Sequence, residues 1–559
     1  MMKKGLLISY NGPPREIFNL FPDNGLAILA SIMICEGHDI KIMDFITPET
    51  YRRFCSPRIR ETLDRLRLMT GKASGIVEQR STNPLLRELH TLYSQVEEEI
   101  AEEISREVEA FAPLFIGFKL WGGWGTEGSF RIAHILKRKY PGIIILAGGP
   151  QVDVFREEIL ACAPQIDFLI RGEGEQSLLC LLEAFKGKLP FGSVPGLIYR
   201  DGSTIKTNKT GDFVSISDLP SPLYAPSVYP AMEEGKIRIF LVEESRGCPN
   251  SCNFCIHPGK SGNCRRTKKT EVLEREIEST ANLLKTAFFR LSGSNPPQTL
   301  LSELAGKISG KGYTYSAFGN INLADIFPVL AKSGCASLAF GVESGSQCIL
   351  EKAMNKHINP QKIKETLASS REAGLFTIAS VIVPAPYDDE STIEETLSLL
   401  KEAHPDSVTT QFALLTPETA WWERADEFGF RYSDKAMLKR KLLTYKEDFL
   451  LPVDLIERIP YRIGRFNHSA IIGTAVNFNE ELEKSGIATG ISDFLVLCAH
   501  SLGKDPLEFR SITDEILGNL RCDDLSLLVR EINDKVNSIY HDCVKGRHDS
   551  TEPSLPINE

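Results

Sequence analysis

Three cysteines, Cys248, Cys252 and Cys255, lie close together in the segment Cys-Pro-Asn-Ser-Cys-Asn-Phe-Cys. Thiolates are the ligands that hold iron–sulfur clusters, and three of them on one short loop can wrap one side of a 4Fe–4S cube. Because the cube has four irons, three thiolates leave one iron open to a substrate or a cofactor. The spacing therefore predicts a catalytic cluster rather than one that only carries electrons.

A zinc site with His257 as its fourth ligand is the alternative explanation of the same cysteines. Zinc knuckles usually combine a Cys-x-x-Cys pair with a distant second pair of ligands. Here the first cysteine spacing is one residue longer, and His257 follows only two positions after Cys255. The pattern therefore favours the cluster over zinc.

The bulk composition limits the class of protein. A chain of 559 residues exceeds one ordinary hydrophobic core, so two or three domains are expected. The net charge of −10 argues against duplex nucleic acid as a partner, because phosphate binding needs a basic face. The apolar stretch 25–35 is shorter than the roughly 20 residues that span a membrane. No membrane span is therefore expected, and the location is expected to be cytoplasmic. In that reducing compartment, the thirteen cysteines are expected to be mostly buried thiols or metal ligands rather than a disulfide set.

The first part of the chain alternates apolar strands with helix-like segments, the pattern of a parallel sheet with crossover helices. The predicted strands are 5–10, 39–45, 112–119, 143–148 and 167–171. The charged, periodic segment 48–109 is predicted to be a helical insertion. Residues 1–205 are therefore expected to form a doubly wound, Rossmann-like α/β domain.

A proline-rich segment at 206–236 breaks both helix and strand and predicts a linker. Strand–helix units then recur over 237–430, which indicates a partial (β/α)6 barrel with functional residues at the carboxyl ends of its strands. The six predicted strands are 238–243, 287–292, 313–318, 336–343, 376–384 and 407–415. The remainder, 431–559, is predicted to be mostly helical, with a disordered polar tail of about a dozen residues.

The cysteine spacing, with Phe254 before the third cysteine, resembles the signature of radical S-adenosylmethionine (SAM) enzymes. The resemblance implies that SAM chelates the open iron and is cleaved by an electron from the cluster to a 5′-deoxyadenosyl radical. The segment Phe-Gly-Val-Glu-Ser-Gly-Ser at 340–346 resembles the family's segment near the SAM ribose, and Arg-Thr-Lys at 266–268 resembles a basic pair of its cobalamin-using branch. The residues predicted to contact SAM are Phe254, Arg266, Gly293, Ser294, Glu343 and Ser344.

Taken without the family resemblance, 340–346 would be an ordinary strand-to-helix turn and 266–268 a solvated basic turn. Two other segments depart from the family pattern. The second barrel strand ends in Leu-Ser-Gly-Ser-Asn at 291–295, where an acidic residue is common, so Gly293 and Ser294 are expected to offer backbone groups to the SAM amine. The fifth ends in Pro-Ala-Pro-Tyr-Asp at 384–388 instead of Gly-x-Pro-Gly-Glu.

Glycine clusters follow three predicted strands of the N-terminal sheet, at 121–125, 147–150 and 171–175. Ligands bind at this edge of open α/β sheets, and glycines let a large flat group approach the backbone. The arrangement resembles the cobalamin-binding domain that precedes the barrel in one branch of radical SAM enzymes. The residues predicted to contact cobalamin are Tyr10, Trp121, Gly122, Gly123, Gly148, Gly149, Pro150, Gly172, Glu173 and Glu175.

Two motifs of cofactor-binding domains do not occur. No Gly-x-Gly-x-x-Gly follows the first strand, so a dinucleotide site is unsupported. The Asp-x-His-x-x-Gly motif, whose histidine ligates cobalt in many cobalamin enzymes, is also absent. His38 and His134 are therefore expected to be surface or packing residues, and cobalt to have no histidine ligand from this domain.

The resemblance implies a cobalamin-dependent radical SAM methyltransferase, which transfers methyl through methylcobalamin to an unactivated carbon. The implied partners are a small-molecule or peptide substrate and a reductant such as flavodoxin or ferredoxin. Two alternatives stay open: a cobalamin-using radical SAM enzyme that performs ring contraction or oxidative cyclisation, and a non-catalytic cobalamin or iron–sulfur sensor. The identity of the substrate does not follow from the sequence.

Overall fold

The N-terminal region forms a seven-stranded sheet in the computed structural model, which describes residues 3–69, 83–446, 455 and 457–549. The strands are β1 Lys4–Tyr10, β2 Asp39–Asp44, β3 Phe115–Leu120, β4 Ile144–Gly148, β5 Phe168–Ile170, β6 Leu197–Asp201 and β7 Thr204–Thr207. They lie in the order β2-β1-β3-β4-β5-β6-β7, parallel through β5 and then antiparallel. The chain reverses its winding direction between β1 and β3, which opens a crevice at the carboxyl edge.

Helices cover both faces of this sheet. They are α1 Asn24–Cys35, α2 Pro48–Arg53, α3 Pro57–Met69, α4 Pro84–Phe111, α5 Trp124–Lys139, α6 Pro150–Phe155, α7 Glu157–Cys162 and α8 Gly174–Phe185. Helix α4 begins where the Asn83 side chain accepts hydrogen bonds from the first free backbone N–H groups, with Pro84 in the first turn. The insertion predicted over 48–109 is thus helical in its described part, and 70–82 lie outside the described residues.

A buried carboxylate links α4 to the sheet. The Tyr10 hydroxyl donates to Glu97 at 3.2 Å, and Arg131 forms an ion pair with the same carboxylate at 2.7 Å. Burial raises the pKa of Glu97 from 4.5 to about 7, although Arg131 opposes the shift. The folded state therefore holds a proton that the unfolded chain releases at lower pH.

This raised pKa predicts the direction of a pH effect on stability. The stabilisation is fully present below about pH 4.5 and is lost as pH rises through about 7, with a total change of roughly 1–3 kcal/mol. Glu97→Gln should flatten the dependence of the apparent Tm on pH between 5 and 7.5. The control is Glu98→Gln at the exposed neighbouring position, and an equal slope in both variants would contradict the assignment.

The second region forms another parallel sheet, in the order β18-β15-β14-β13-β12-β11-β8. Its strands are β8 Phe240–Val242, β11 Phe288–Leu291, β12 Thr314–Gly319, β13 Cys335–Glu343, β14 Phe376–Ile382, β15 Ser407–Gln411 and β18 Ala488–Thr489. Two short antiparallel pairs, β9 Ser245–Arg246 with β10 Arg266–Thr267 and β16 Phe430–Arg431 with β17 Arg462–Ile463, lie outside it. The sequence predicted six strands, and the seventh comes from the region predicted to be helical.

The remaining elements are helices. They are α9 His257–Ser261, α10 Thr270–Leu284, α11 Gln298–Ile308, α12 Phe327–Lys332, α13 Gln347–Lys352, α14 Pro360–Glu372, α15 Glu390–Ala403, α16 Ala420–Glu423, α17 Lys435–Leu443, α18 His468–Lys484, α19 Asp493–Leu502, α20 Pro506–Gly518 and α21 Cys522–Asp549. The disordered tail predicted for the last dozen residues falls almost entirely outside the described residues.

The C-terminal helices tie the two sheets together. Helix α19 packs on β11, β12 and β13, where Asp493 accepts a hydrogen bond from buried Arg290 at 2.5 Å. The Phe494 ring on the same helix contacts the Phe18 and Phe21 rings of the N-terminal region. The C-terminal part is therefore integral to the packing of both regions.

The cysteine pairing and one long apolar helical segment bear on two expectations about the N-terminal region. Cys55 in the helical insertion and Cys522 on α21 form one disulfide, and the other eleven cysteines are free, in agreement with the prediction that most cysteines are thiols or metal ligands. One apolar helical segment of the described residues, Ile17–Cys35, is long enough to cross a membrane, but 56% of it is buried inside the protein. Core helices of soluble proteins commonly have this length and composition, so the segment is weak evidence for a membrane span.

Candidate functional site

A cavity of about 350 Å³ lies between the carboxyl edges of the two sheets. One wall is formed by the ends of β3, β4 and β5 and by the start of α8. The opposite wall is formed by the segment after β8, by α9 and by the loop after β11. The two edges that the sequence assigned to different cofactors therefore face one another.

The three cysteines lie on the loop between β9 and α9, next to this cavity. The loop turns sharply at Gly247, whose φ is +86° and where a Cβ atom would lie 2.2 Å from the Cys264 carbonyl oxygen, so only glycine fits. The thiols of Cys248, Cys252 and Cys255 are partly buried. Burial raises the pKa of Cys252 to about 11 and also raises that of Cys255, with the neighbouring thiols adding to both shifts.

These partly buried thiols are better explained as ligands of a cationic cluster than as free thiols. A metal bound to a thiol favours its thiolate form, which offsets the cost of burial. The backbone N–H of His257 also points to Cys255 Sγ at 3.4 Å. The His257 ring itself is hydrogen-bonded through Nε2 to Ser294 Oγ at 2.9 Å, so this nitrogen is engaged away from the thiols and is not the fourth ligand of the zinc alternative.

Of the residues predicted to contact SAM, Ser294 and Arg266 line the cavity, whereas Phe254, Gly293, Glu343 and Ser344 do not. Glu343, at the end of β13 with φ +65°, accepts a hydrogen bond from Lys356 at 3.0 Å and influences the pKa of Cys252 and Cys255. Ser294 lines the cavity. Ser344 is buried and its hydroxyl lies 3.1 Å from Thr396 Oγ1.

Two of these predictions change in detail. The Gly293 N–H donates to buried Glu244 at 3.0 Å, so it is not available to a cofactor as a donor. A Cβ atom at Gly293 would lie 2.1 Å from that carboxylate, which explains the glycine. Phe254 packs its ring against Trp421 at 5.8 Å and does not line the cavity.

On the opposite wall, five of the predicted cobalamin residues line the cavity. They are Gly148, Gly149, Gly172, Glu173 and Glu175. Pro150 follows directly as the first residue of α6. A Cβ atom at Gly148 would meet nothing nearer than the Ile170 carbonyl oxygen at 3.6 Å, so the backbone leaves open space there for a large ligand. The wall therefore fits a bulky cofactor.

The other predicted cobalamin contacts are elsewhere. Tyr10 is 1% exposed and bonded to Glu97 in the core. Trp121, Gly122 and Gly123 do not line the cavity, and a Cβ atom at Gly123 would lie 3.2 Å from the Tyr445 carbonyl oxygen. The C-terminal region packs against Gly123, and no local sequence pattern indicates this contact.

Several cavity residues were missed by sequence reasoning. Lys119 near the end of β3 forms an ion pair with Asp23 at 2.7 Å, and Lys260 on α9 forms one with Asp153 at 2.7 Å. Lys119 could have been found from the sequence, because it is a lysine at the carboxyl end of an otherwise apolar strand. The position of Lys260 depends on how the two regions approach one another, which the sequence does not specify.

Arg246 is the centre of a charge network between the two regions. Its guanidinium contacts Glu243 at 2.6 Å, Glu175 at 2.9 Å and Glu173 at 3.3 Å. Arg266, predicted to bind SAM, instead forms an ion pair with Glu173 and donates to the Val214 carbonyl at 2.6 Å. Two arginines on the wall that carries the cysteine loop thus form ion pairs with two glutamates of the glycine-rich edge.

Replacing Arg246 by alanine is expected to destabilise the protein by about 2–3 kcal/mol, because it leaves partly buried Glu243 and Glu175 without their main partner and removes one of the two cations beside Glu173. Lysine should not restore stability, since it lacks the planar fork that reaches several carboxylates. The apparent Tm by calorimetry checks this, with the exposed Arg275→Ala as control. A Tm equal to that of the control would contradict the structural role.

Comparison with known proteins identifies two domains, one for each of the two regions that form the walls of the cavity. Residues 242–400 match the radical SAM superfamily, and residues 87–182 match the B12 binding domain. An uncharacterized methyltransferase of Pyrococcus horikoshii is 24% identical over 58% of this chain and 72% of its own length. An anaerobic magnesium-protoporphyrin IX monomethyl ester cyclase of Cereibacter sphaeroides is 25% identical over 50% of this chain, and the match spans only 47% of the cyclase.

The fold also matches a solved structure. The radical SAM methyltransferase TsrM from Kitasatospora setae, solved with cobalamin and a [4Fe-4S] cluster, superposes with a TM-score of 0.62 at 13% identity, over 93% of this chain and 99% of that one. Fold and cavity together define a two-region α/β protein with a cluster loop facing a glycine-rich cofactor edge. The chain is a radical SAM enzyme with a B12-binding domain, and its cofactors are a 4Fe–4S cluster, SAM and cobalamin.

Proposed function

We propose that this enzyme is a cobalamin-dependent methyltransferase that acts on an unactivated carbon. The observation that carries the proposal is the cavity that lies between the cysteine loop and the glycine-rich edge of the N-terminal sheet. A substrate in this cavity would contact both cofactors at once. Positioning of that kind is the protein's main contribution in cofactor enzymes.

The residues on the side of the cysteine loop have two proposed roles. Cys248, Cys252 and Cys255 hold the cluster. Ser294 and Glu343 are the proposed polar contacts of SAM, and the Gly293 carbonyl remains available to its amine because only the N–H is used by Glu244. When bound, the cluster supplies the electron that cleaves SAM, and cobalamin carries the methyl group.

The cobalamin contacts proposed on the opposite wall are Gly148, Gly149 and Gly172, where the backbone is open. Glu173 and Glu175 lie beside them but are bound by Arg266 and Arg246. Their proposed role is therefore to fix the distance between the two walls. Among the described residues, no histidine of the N-terminal domain lines the cavity, and His38 accepts a hydrogen bond from the Lys3 N–H outside it, so this domain would supply cobalt with no histidine ligand.

The proposal is tested with SAM deuterated in its methyl group, cobalamin and a reductant in the absence of oxygen. We expect S-adenosylhomocysteine together with cobalamin that carries a trideuterated methyl group, even without substrate. 5′-Deoxyadenosine is expected as the second product. Formation of 5′-deoxyadenosine without any label on cobalamin would overturn methyl transfer.

Chemistry without methyl transfer is the second candidate, because the matched relative from Cereibacter sphaeroides is named a cyclase. Product mass separates the two. A gain of one methylene unit indicates methylation, whereas loss of hydrogen or unchanged mass indicates cyclisation or rearrangement.

The proposed reductant is a flavodoxin or ferredoxin, the proposed substrate is a small molecule or peptide, and the proposed location is the cytoplasm.

A further inference from the structure

The loop after β11 brings a side-chain donor to one of the cluster cysteines. Asn295 Nδ2 lies 3.5 Å from Cys248 Sγ. We propose that Asn295 is a redox-tuning residue, which donates a hydrogen bond to the Cys248 thiolate and makes the cluster easier to reduce. The inference rests on the cluster of the proposed function but not on methyl transfer.

The orientation of the Asn295 amide follows from a backbone donor. The N–H of Asn322 can only donate, and it lies 2.9 Å from Asn320 Oδ1, which fixes the Asn320 side chain. Asn320 Nδ2 therefore points to Asn295 Oδ1 at 3.2 Å. This assigns the oxygen of the Asn295 amide to Asn320 and leaves its NH₂ group for the sulfur.

The loop that carries Asn295 is held at several points. Arg265 Nη1 donates to the Asn295 carbonyl oxygen at 3.1 Å, and Asn320 Nδ2 also lies 3.4 Å from the Pro296 carbonyl oxygen. The Gly293 N–H is bound by buried Glu244. These contacts keep the amide beside the sulfur, because moving it would break several hydrogen bonds together.

The direction of the effect follows from electrostatics. One-electron reduction by an external donor adds a unit of negative charge to the cluster and its thiolates. An N–H dipole directed at a ligand sulfur stabilises the more negative state more strongly, and such hydrogen bonds are among the factors that set cluster potentials. Removing the donor should therefore lower the midpoint potential.

The experiment uses the full chain, reconstituted with iron and sulfide under anaerobic conditions, without cobalamin or substrate. The variants are Asn295→Ala, Asn295→Asp and Asn320→Ala, with Asn477→Asp on the exposed face of α18 as a control for the same charge change. Dithionite titration followed by EPR gives the midpoint potential of each. We expect Asn295→Ala to lower the reduced-to-oxidised ratio at fixed potential by up to about tenfold, which corresponds to about 59 mV for one electron.

Asn295→Asp should lower the potential further, because it places a carboxylate beside the thiolate. Asn320→Ala should have a smaller effect in the same direction, since the donor remains but loses its orientation. Unchanged potentials at full iron content would overturn the proposal. So would failure of all three variants to hold a cluster, because a tuning donor is dispensable for assembly. Wild-type protein that keeps its potential but transfers no methyl group would overturn the proposed function alone.

Discussion

Serine at Cys248, Cys252 and Cys255 is expected to abolish cleavage of SAM to 5′-deoxyadenosine. Serine keeps the size of the side chain but removes the soft thiolate that iron–sulfur clusters require. Iron and sulfide content, visible absorbance and EPR of the reduced protein should all fall to background. Cys348→Ser, at an exposed position on α13, is the matched control and should retain the cluster.

This prediction also separates the cluster from zinc. If the triple serine variant keeps its iron, the cysteine loop is not the cluster site. If the purified wild-type protein binds zinc instead of iron at these thiols, the chemistry proposed for the whole enzyme fails. Retained 5′-deoxyadenosine formation in the triple variant would contradict the assignment equally.

Loss of cobalamin binding is expected from Gly148→Leu. The new side chain projects into the cavity without backbone strain, because Gly148 has no positive φ and the space at its Cβ position is open. Filling the space of a ligand typically costs roughly 1–3 kcal/mol, which is about a 5-fold to 150-fold loss of affinity. The measurement is cobalamin retained per chain after gel filtration.

The control for this variant is Gly142→Leu on the exposed turn before β4, where no atom lies within 4 Å of the added Cβ. Iron content should be equal in both proteins, because the cysteine loop is on the other wall. Equal cobalamin retention in the two variants would show that the glycine-rich edge is not the cobalamin site. Simultaneous loss of iron and cobalamin would indicate a folding defect, which circular dichroism would detect.

Much of the fold was predictable because its signals are local. Short apolar strands such as β1 and β13, separated by helical periodicity, identify parallel sheets covered on both faces. The glycines at 148, 149 and 172 were found as cavity residues because a glycine at the carboxyl end of a parallel strand has few structural reasons to be there. The cysteine loop was found because its spacing is specific.

The errors came from contacts between distant segments. The glycines at 122 and 123 have the same local pattern as those at 148 and 149, but the chain at 445–446 packs against Gly123. Tyr10 lies at a strand end, yet its side chain points to the α4 face and bonds to Glu97. Sequence periodicity does not distinguish these cases from true cavity residues.

The loop after the second barrel strand, β11, is organised by a carboxylate that its own sequence does not contain. The family's usual acidic residue is replaced there by Ser-Gly-Ser-Asn, which in sequence reads as a missing SAM contact. In the structure, buried Glu244 from the neighbouring strand end binds the Gly293 N–H, and burial raises the pKa of this carboxyl to about 7. The loop is thus organised by a carboxylate from β8 and directs Asn295 to the cluster cysteine.

The central claim is that three thiolates leave one iron of the cluster open to SAM. Electron–nuclear double resonance of the reduced protein, with SAM labelled by ¹⁵N in its amine and ¹⁷O in its carboxylate, measures this directly. We predict hyperfine coupling of both labels to the cluster, lost in the triple serine variant. A reduced cluster that shows no coupling to either label at saturating SAM would contradict the account.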